Sequence, residues 1–94
     1  MAESSFQSDV AKWLRGLGGY VLIISPRPGI PDGCPDVVAL FPKCWITLEL
    51  KASEDAKFQP LQEPTIAKLN KMGYSRAVWP KIWKEVQKEL LQFI

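Results

Sequence analysis

The run Asp36-Val-Val-Ala-Leu-Phe41, Pro42-Lys43, Cys44-Trp-Ile-Thr-Leu-Glu-Leu-Lys51 decides the fold. Asp36 to Phe41 and Trp45 to Lys51 are rich in β-branched and aromatic residues, as strands are. The second run alternates, with Ile46, Leu48 and Leu50 on one face and Thr47, Glu49 and Lys51 on the other. Pro42-Lys43 between them predicts a hairpin. If those two residues are the whole loop, Phe41 faces Cys44 and, counting back along both strands, Asp36 faces Glu49. Their Cβ atoms then lie about 4.5–5.5 Å apart, on the face that also carries Lys51. Any even-length loop keeps that sidedness and an odd one breaks it. Proline is not a residue of the favoured I′ and II′ hairpin turns, so the register rests on the loop length alone.

Upstream, Ser4-Ser5 can cap a helix whose apolar positions Phe6, Val10, Trp13, Leu14 and Leu17 share one face of a 3.6-residue period. Gly16, Gly18 and Gly19 end it. Tyr20 to Ile24 predicts a short buried strand, and Ser25 to Pro35, with prolines at 26, 28 and 31, a stiff irregular loop. Downstream, Ala52 to Phe58 is polar and loop-like. From about Gln59 to Met72 the spacing of Leu61, Thr65, Leu69 and Met72 predicts a helix stopped by Gly73. Tyr74 to Trp79 predicts a last strand, and Pro80 opens a final helix with Ile82, Trp83, Val86, Leu90 and Leu91 as its apolar face. The order α-β-β-β-α-β-α predicts an α/β fold in one domain, residues 1–94. The helical crossover makes the last strand parallel to the third, in a mixed sheet with helices on both faces.

Composition excludes several classes of function. The chain has 94 residues, 47% hydrophobic and 23% charged, which is the balance of a packed domain rather than a disordered one. It has no histidine, and Cys34 and Cys44 lack metal-site spacing, which excludes zinc fingers and His-based catalysis. The longest apolar run, Tyr20 to Ile24, is far short of a membrane span, and the first residues do not resemble a signal peptide. Reduced thiols in a cytoplasmic protein are the expectation. The net charge of +2 does not announce a polyanion partner. The basic residues after Pro64 (Lys68, Lys71, Arg76, Lys81, Lys84 and Lys88) read first as solvated helix faces.

Two carboxylates facing each other across a hairpin repel unless a cation lies between them. Mg²⁺ is typically held by one or two carboxylates together with water and substrate phosphate oxygens. A neighbouring lysine can stabilise charge developing on a phosphoryl group. Asp36, Glu49 and Lys51 thus make a minimal kit for phosphodiester hydrolysis. A lone Glu-x-Lys more often marks the polar face of an ordinary strand.

The wider pattern is richer. Pro35-Asp36 followed by Glu49-Leu50-Lys51 resembles the P-D…(D/E)-x-K motif of restriction-endonuclease-like nucleases. Glu3-Ser-Ser-Phe-Gln7, Gly33-Cys-Pro-Asp36, Leu48-Glu-Leu-Lys51, Gln62 and Gly73-Tyr74, in that order, resemble the VRR-NUC family (virus-type replication-repair nucleases), especially its stand-alone phage members. The resemblance implies the restriction-endonuclease-like fold and an Mg²⁺- or Mn²⁺-dependent DNA endonuclease in a bacterial or phage-infected cytoplasm. It implies Asp36 and Glu49 as metal ligands, with Leu50 adding its backbone carbonyl and Glu3 reaching the metal through water. Lys51 is the implied catalytic lysine, and Gln62 its positioner or a phosphate contact. Arg27, Lys68 and Lys71 are candidate DNA contacts.

Small members of that family act as homodimers, and a dimer also suits the apolar terminus Leu90-Leu-Gln-Phe-Ile94 and the four tryptophans. Two antiparallel sites suit a branched substrate such as a four-way (Holliday) junction, held through a basic surface from Lys68 to Lys88. The rival readings are a binding or interaction module that keeps this fold and cuts nothing, and an interaction protein built around its C-terminal helix. The intact Asp36, Glu49 and Lys51 set disfavours the first, and the facing carboxylates are unexplained by the second.

Overall fold

The computed structural model describes residues 2–94, with side chains described from Ser5 onward. The elements are α1 (Ala2–Gly16), β1 (Tyr20–Ile23), β2 (Val37–Phe41), β3 (Cys44–Leu50), α2 (Gln62–Met72), β4 (Tyr74–Val78), a 3-10 turn (Pro80–Ile82) and α3 (Trp83–Phe93). The four strands form one sheet in sequence order. β1, β2 and β3 are an antiparallel meander, and β4 joins β3 in parallel after the α2 crossover. This is the mixed α/β sheet that the order of elements predicts.

The hairpin register is the one counted from a two-residue loop: Phe41 lies opposite Cys44 and Val37 opposite Leu48. Neither Pro42 nor Lys43 has a positive φ, so the turn is closed without the I′ or II′ geometry. Val21, Val37, Ala39, Ile46, Leu48, Leu50 and Val78 share one sheet face and meet Phe6, Val10 and Leu14 of α1 and Val86 and Leu90 of α3 in a single core. Trp83 joins the two helices, edge-on to Phe6 at 5.9 Å and to Trp13 at 5.3 Å. The opposite face carries Thr47, Glu49 and Ser75, where Thr47 donates to Ser75 Oγ at 2.7 Å. Here α2 covers only the β3–β4 half.

Several expectations shift. α1 starts at Ala2, so Ser4 and Ser5 lie inside the helix instead of capping it. β1 is an edge strand with only Val21 buried, not a buried strand; an apolar run on an edge has the composition of one in the middle. α2 starts at Gln62, and none of its residues is fully buried; Met72 is 65% exposed. Pro80 opens the 3-10 turn that precedes α3. Leu17 and Leu91, expected in helix apolar faces, are exposed. Lys68 and Lys71 sit in the layer opposite Lys81, Lys84 and Lys88, and Arg76 between them is engaged by Glu89 at 3.1 Å. The basic surface expected from Lys68 to Lys88 is therefore divided.

The two sheet edges differ. At β4, Arg76 Nε folds back to donate to the carbonyl of Ala77 at 3.0 Å while its Nη1 meets Glu89. Lys51 N–H donates to Val78 O, so by alternation the Ala77 carbonyl faces outward, and Arg76 caps it. At β1, Ile24 N–H donates inward to Asp36 O, which leaves the backbone of Val21 and Ile23 facing outward. Tyr20-Val-Leu-Ile23 carries no charge or proline, the usual protection of an edge. Beside it, Tyr20, Leu22 and Leu40 are exposed on the sheet face that α2 leaves open.

Candidate active site

The hairpin sets the first pair. Asp36 immediately precedes β2, and its Oδ2 accepts the N–H of Leu50 at 2.8 Å, tying the start of one strand to the end of the other. Glu49, one residue back on β3, is 2% exposed. A carboxylate this deeply buried needs partners. Gln62 supplies one, donating from Nε2 to Glu49 Oε2 at 2.9 Å.

Gln62 also holds the lysine. Its Oε1 accepts from Lys51 Nζ at 2.9 Å and from the N–H of Gln59 at 2.7 Å. Lys51 Nζ donates a second bond to the carbonyl of Lys57 at 2.9 Å and lies 4.4 Å from the centroid of Phe58, within cation–π range. An ammonium has three N–H groups, so these two bonds leave one for another acceptor. Because Gln62 is the first residue of α2, the helix start delivers the amide that links Glu49 to Lys51.

A cavity of about 540 Å³ opens in front of this group. One wall is the proline-rich loop, with Arg27, Pro31, Asp32 and Cys34; the other is Gln59 to Gln62; Asp36 lies in its lining. The walls touch at Gly33. Its φ is +82°, and a Cβ there would stand 2.5 Å from the carbonyl oxygen of Leu61, so only glycine closes this corner. Burial, reinforced by the charges of Glu49 and Asp36, pushes the Cys34 thiol above its usual value and marks how near it lies to both carboxylates.

The structure thus brings together Asp36, Glu49, Leu50, Lys51 and Gln62, and sets Arg27 on the cavity wall. Lys68 and Lys71 are exposed on α2, outside the cavity. The Glu3 side chain lies outside the described residues. Sequence reading missed Lys57, Phe58 and Gln59 as holders of Lys51 and Gln62. Two of them act through backbone groups, which leave no mark in composition; Lys57 and Phe58 fall in the stretch that reads as a plain polar loop, and Gln59 reads as the start of the helix.

The donors available to a cation are the oxygens of Asp36 and Glu49 and the carbonyl of Leu50, a hard set suited to Mg²⁺ or Mn²⁺. No group of three His, Cys, Asp or Glu side chains among the described residues forms a complete metal cage. A bound ion here would keep open positions for water or substrate.

No protein-family model matches the chain, and no curated protein matches it. Among solved structures, one titled "VRR_NUC domain" is similar over 100% of this chain and 99% of its own, with 23% sequence identity and a TM-score of 0.75. The chain therefore shares the fold of that solved domain along its whole length.

Proposed function

We propose that this chain is a divalent-metal-dependent DNA endonuclease. The observation that carries the reading is the link from Glu49 through Gln62 to Lys51, with Gln62 and Asp36 in the lining of a cavity. Asp36, Glu49 and the Leu50 carbonyl would hold Mg²⁺ or Mn²⁺, which when bound supplies Lewis-acid activation of the phosphodiester and its water. Lys51, fixed by Gln62, Lys57 and Phe58, directs its remaining N–H to a phosphoryl oxygen and stabilises the charge that grows there. Gln62 keeps Lys51 and Glu49 at constant separation. Asp36 braces the backbone that bears Leu50. Arg27 on the cavity wall contacts a flanking phosphate.

The finer reading is a homodimer acting on branched DNA, a four-way junction first. The bare β1 edge and the open face around Tyr20, Leu22 and Leu40 support a partner chain. Trp13 and Trp83 do not, because they are spent on packing α1 against α3. At the C-terminus Leu90 is buried, and Leu91, Phe93 and Ile94 remain exposed. No helix among the described residues is long and apolar enough to cross a membrane.

The test is to incubate the protein with linear, single-stranded, flap and four-way DNA, with Mg²⁺, with Mn²⁺ and with chelator. Metal-dependent cutting lost in Glu49→Ala is expected. DNA binding without cutting in any metal would favour the inactive-module reading. Light scattering giving a mass near the 10.6 kDa monomer would overturn the dimer.

A further inference from the structure

A second cavity, also about 540 Å³, runs along the outer edge of β4 between α2 and α3. It adjoins the candidate active site through two residues. Phe58, in its lining, is the ring over Lys51 Nζ. Trp79, also in its lining, follows Val78, whose carbonyl accepts the N–H of Lys51 at 2.8 Å. Of the two aromatic residues in the cavity lining beside the lysine, Phe58 therefore touches Lys51 itself and Trp79 follows the lysine's backbone partner.

The chemistry of this groove selects its occupant. Glu63 and Glu89 line it, and Arg76, its one basic group, is already held by Glu89, so a phosphate is disfavoured. A β-strand is disfavoured as well, because Arg76 caps the outward carbonyl of Ala77. What remains is a flat, uncharged group with an aromatic face and polar edges. Asn70 spends its Oδ1 on the N–H of Ser75, leaving its NH₂ as a donor to a base carbonyl, while the Glu63 carboxylate can accept from a base N–H. The buried indole N–H of Trp79 has no acceptor among the described residues. On α2, Lys71 and Lys68 lie on the helix surface next to the groove-lining side formed by Glu63, Ile66, Ala67 and Asn70, where a backbone could run while its base turns inward.

We infer that this groove is a subsite for an unpaired nucleobase flanking the phosphate presented to Lys51, which would give the enzyme its preference for branched or open strands. The inference rests on the nuclease reading for its neighbour, but base binding itself needs neither metal nor cleavage. Aromatic stacking is the main sequence-tolerant source of affinity for single strands.

The test uses the full chain in chelator, where nothing is cut. A labelled oligothymidylate is expected to bind, and Ala67→Trp, which fills the groove from an exposed helix position, to weaken it about tenfold. Wild type and Ala67→Trp should bind an abasic strand of equal length equally. A strand carrying 5-iodouracil, photo-crosslinked to the wild-type protein, should map to Phe58 or Trp79, a result that does not depend on how the variant folds. An unchanged affinity in Ala67→Trp, an equal loss on the abasic strand, or crosslinks confined to the loop around Arg27 would each overturn the subsite. Metal-dependent cleavage with any of those results leaves the nuclease reading standing; base binding without cleavage in any metal sinks that reading and spares the groove.

Discussion

Gln62 donates to Glu49 Oε2 and accepts from Lys51 Nζ, both at 2.9 Å, so a single amide connects the acidic and basic halves of the candidate site. No carboxylate can do both. Gln62→Glu would set two acidic groups against each other while keeping the lysine's acceptor, and Gln62→Ala would release both partners. Groups that orient a metal ligand typically cost 10–100-fold when removed. We expect Gln62→Ala to slow single-turnover cleavage by about that factor, and Gln62→Glu to slow it at least as much. Wild-type rates in both would show that the bridge does not matter to turnover.

Asp36 has a structural duty besides its expected one. Its carboxylate accepts the N–H of Leu50, which is buried at 4% exposure. Relieving the Asp36–Glu49 repulsion is therefore no gain in Asp36→Ala, because the N–H is orphaned at a cost of about 1–3 kcal/mol. Asp36→Asn keeps an acceptor and should hold most of the stability while losing metal-dependent cleavage. Urea unfolding of the two variants, with cleavage assays beside it, separates the duties. Lys51→Ala should also be inactive.

Gly33 is where the loop meets the start of α2. With φ at +82° and the Leu61 carbonyl 2.5 Å from any added Cβ, Gly33→Ala must displace one wall of the cavity. Strain of this kind costs about 1–3 kcal/mol. The expected result is a lower urea midpoint, with cleavage slowed because the segment carrying Gln62 moves. An unchanged midpoint would mean that the walls give way freely.

Glu89, Tyr74 and Arg76 give the β4 edge a dependence on pH. The Tyr74 hydroxyl donates to Glu89 Oε1 at 2.6 Å and, against the opposing effect of burial, that bond and the Arg76 charge hold the Glu89 carboxyl below its ordinary value of 4.5. A folded-state value below the unfolded one stabilises the protein above pH 4.5, and that stability is lost as pH falls through the lower folded value. Burial first, and then Glu89, raise the Tyr74 hydroxyl above its ordinary value of 10, so its contribution is lost as pH rises beyond 10. Urea midpoints of Glu89→Gln should show a flatter acid limb than wild type; parallel limbs would remove Glu89 from the account.

Much of this arrangement was legible in the sequence. Alternation in Ile46 to Lys51 and the two-residue Pro42-Lys43 loop placed Asp36 and Glu49 together, because strand period and loop parity leave no freedom once both are known. The crossover made β4 parallel, and the ordered pieces from Gly33 to Tyr74 pointed to the fold that the solved VRR_NUC domain shares. What stayed hidden depends on neighbours in space. Tyr20 to Ile23 reads as buried because apolar composition does not distinguish a central strand from an uncovered edge. The Lys57 carbonyl and the Gln59 N–H are backbone groups, so no residue identity advertises them.

The parallel pairing of β3 with β4 gives the site an order of assembly. The meander β1–β2–β3 joins neighbours in sequence, and with it come Asp36, Leu50 and Glu49. Gln62 lies at the start of α2, inside the crossover that must close before β4 can pair. A chain with only its meander formed would own the acidic pair and lack the clamp on Lys51. The same holds in the finished protein whenever that far edge opens: acid and base halves part company along a seam set by the topology, and the lysine is the half that is set adrift.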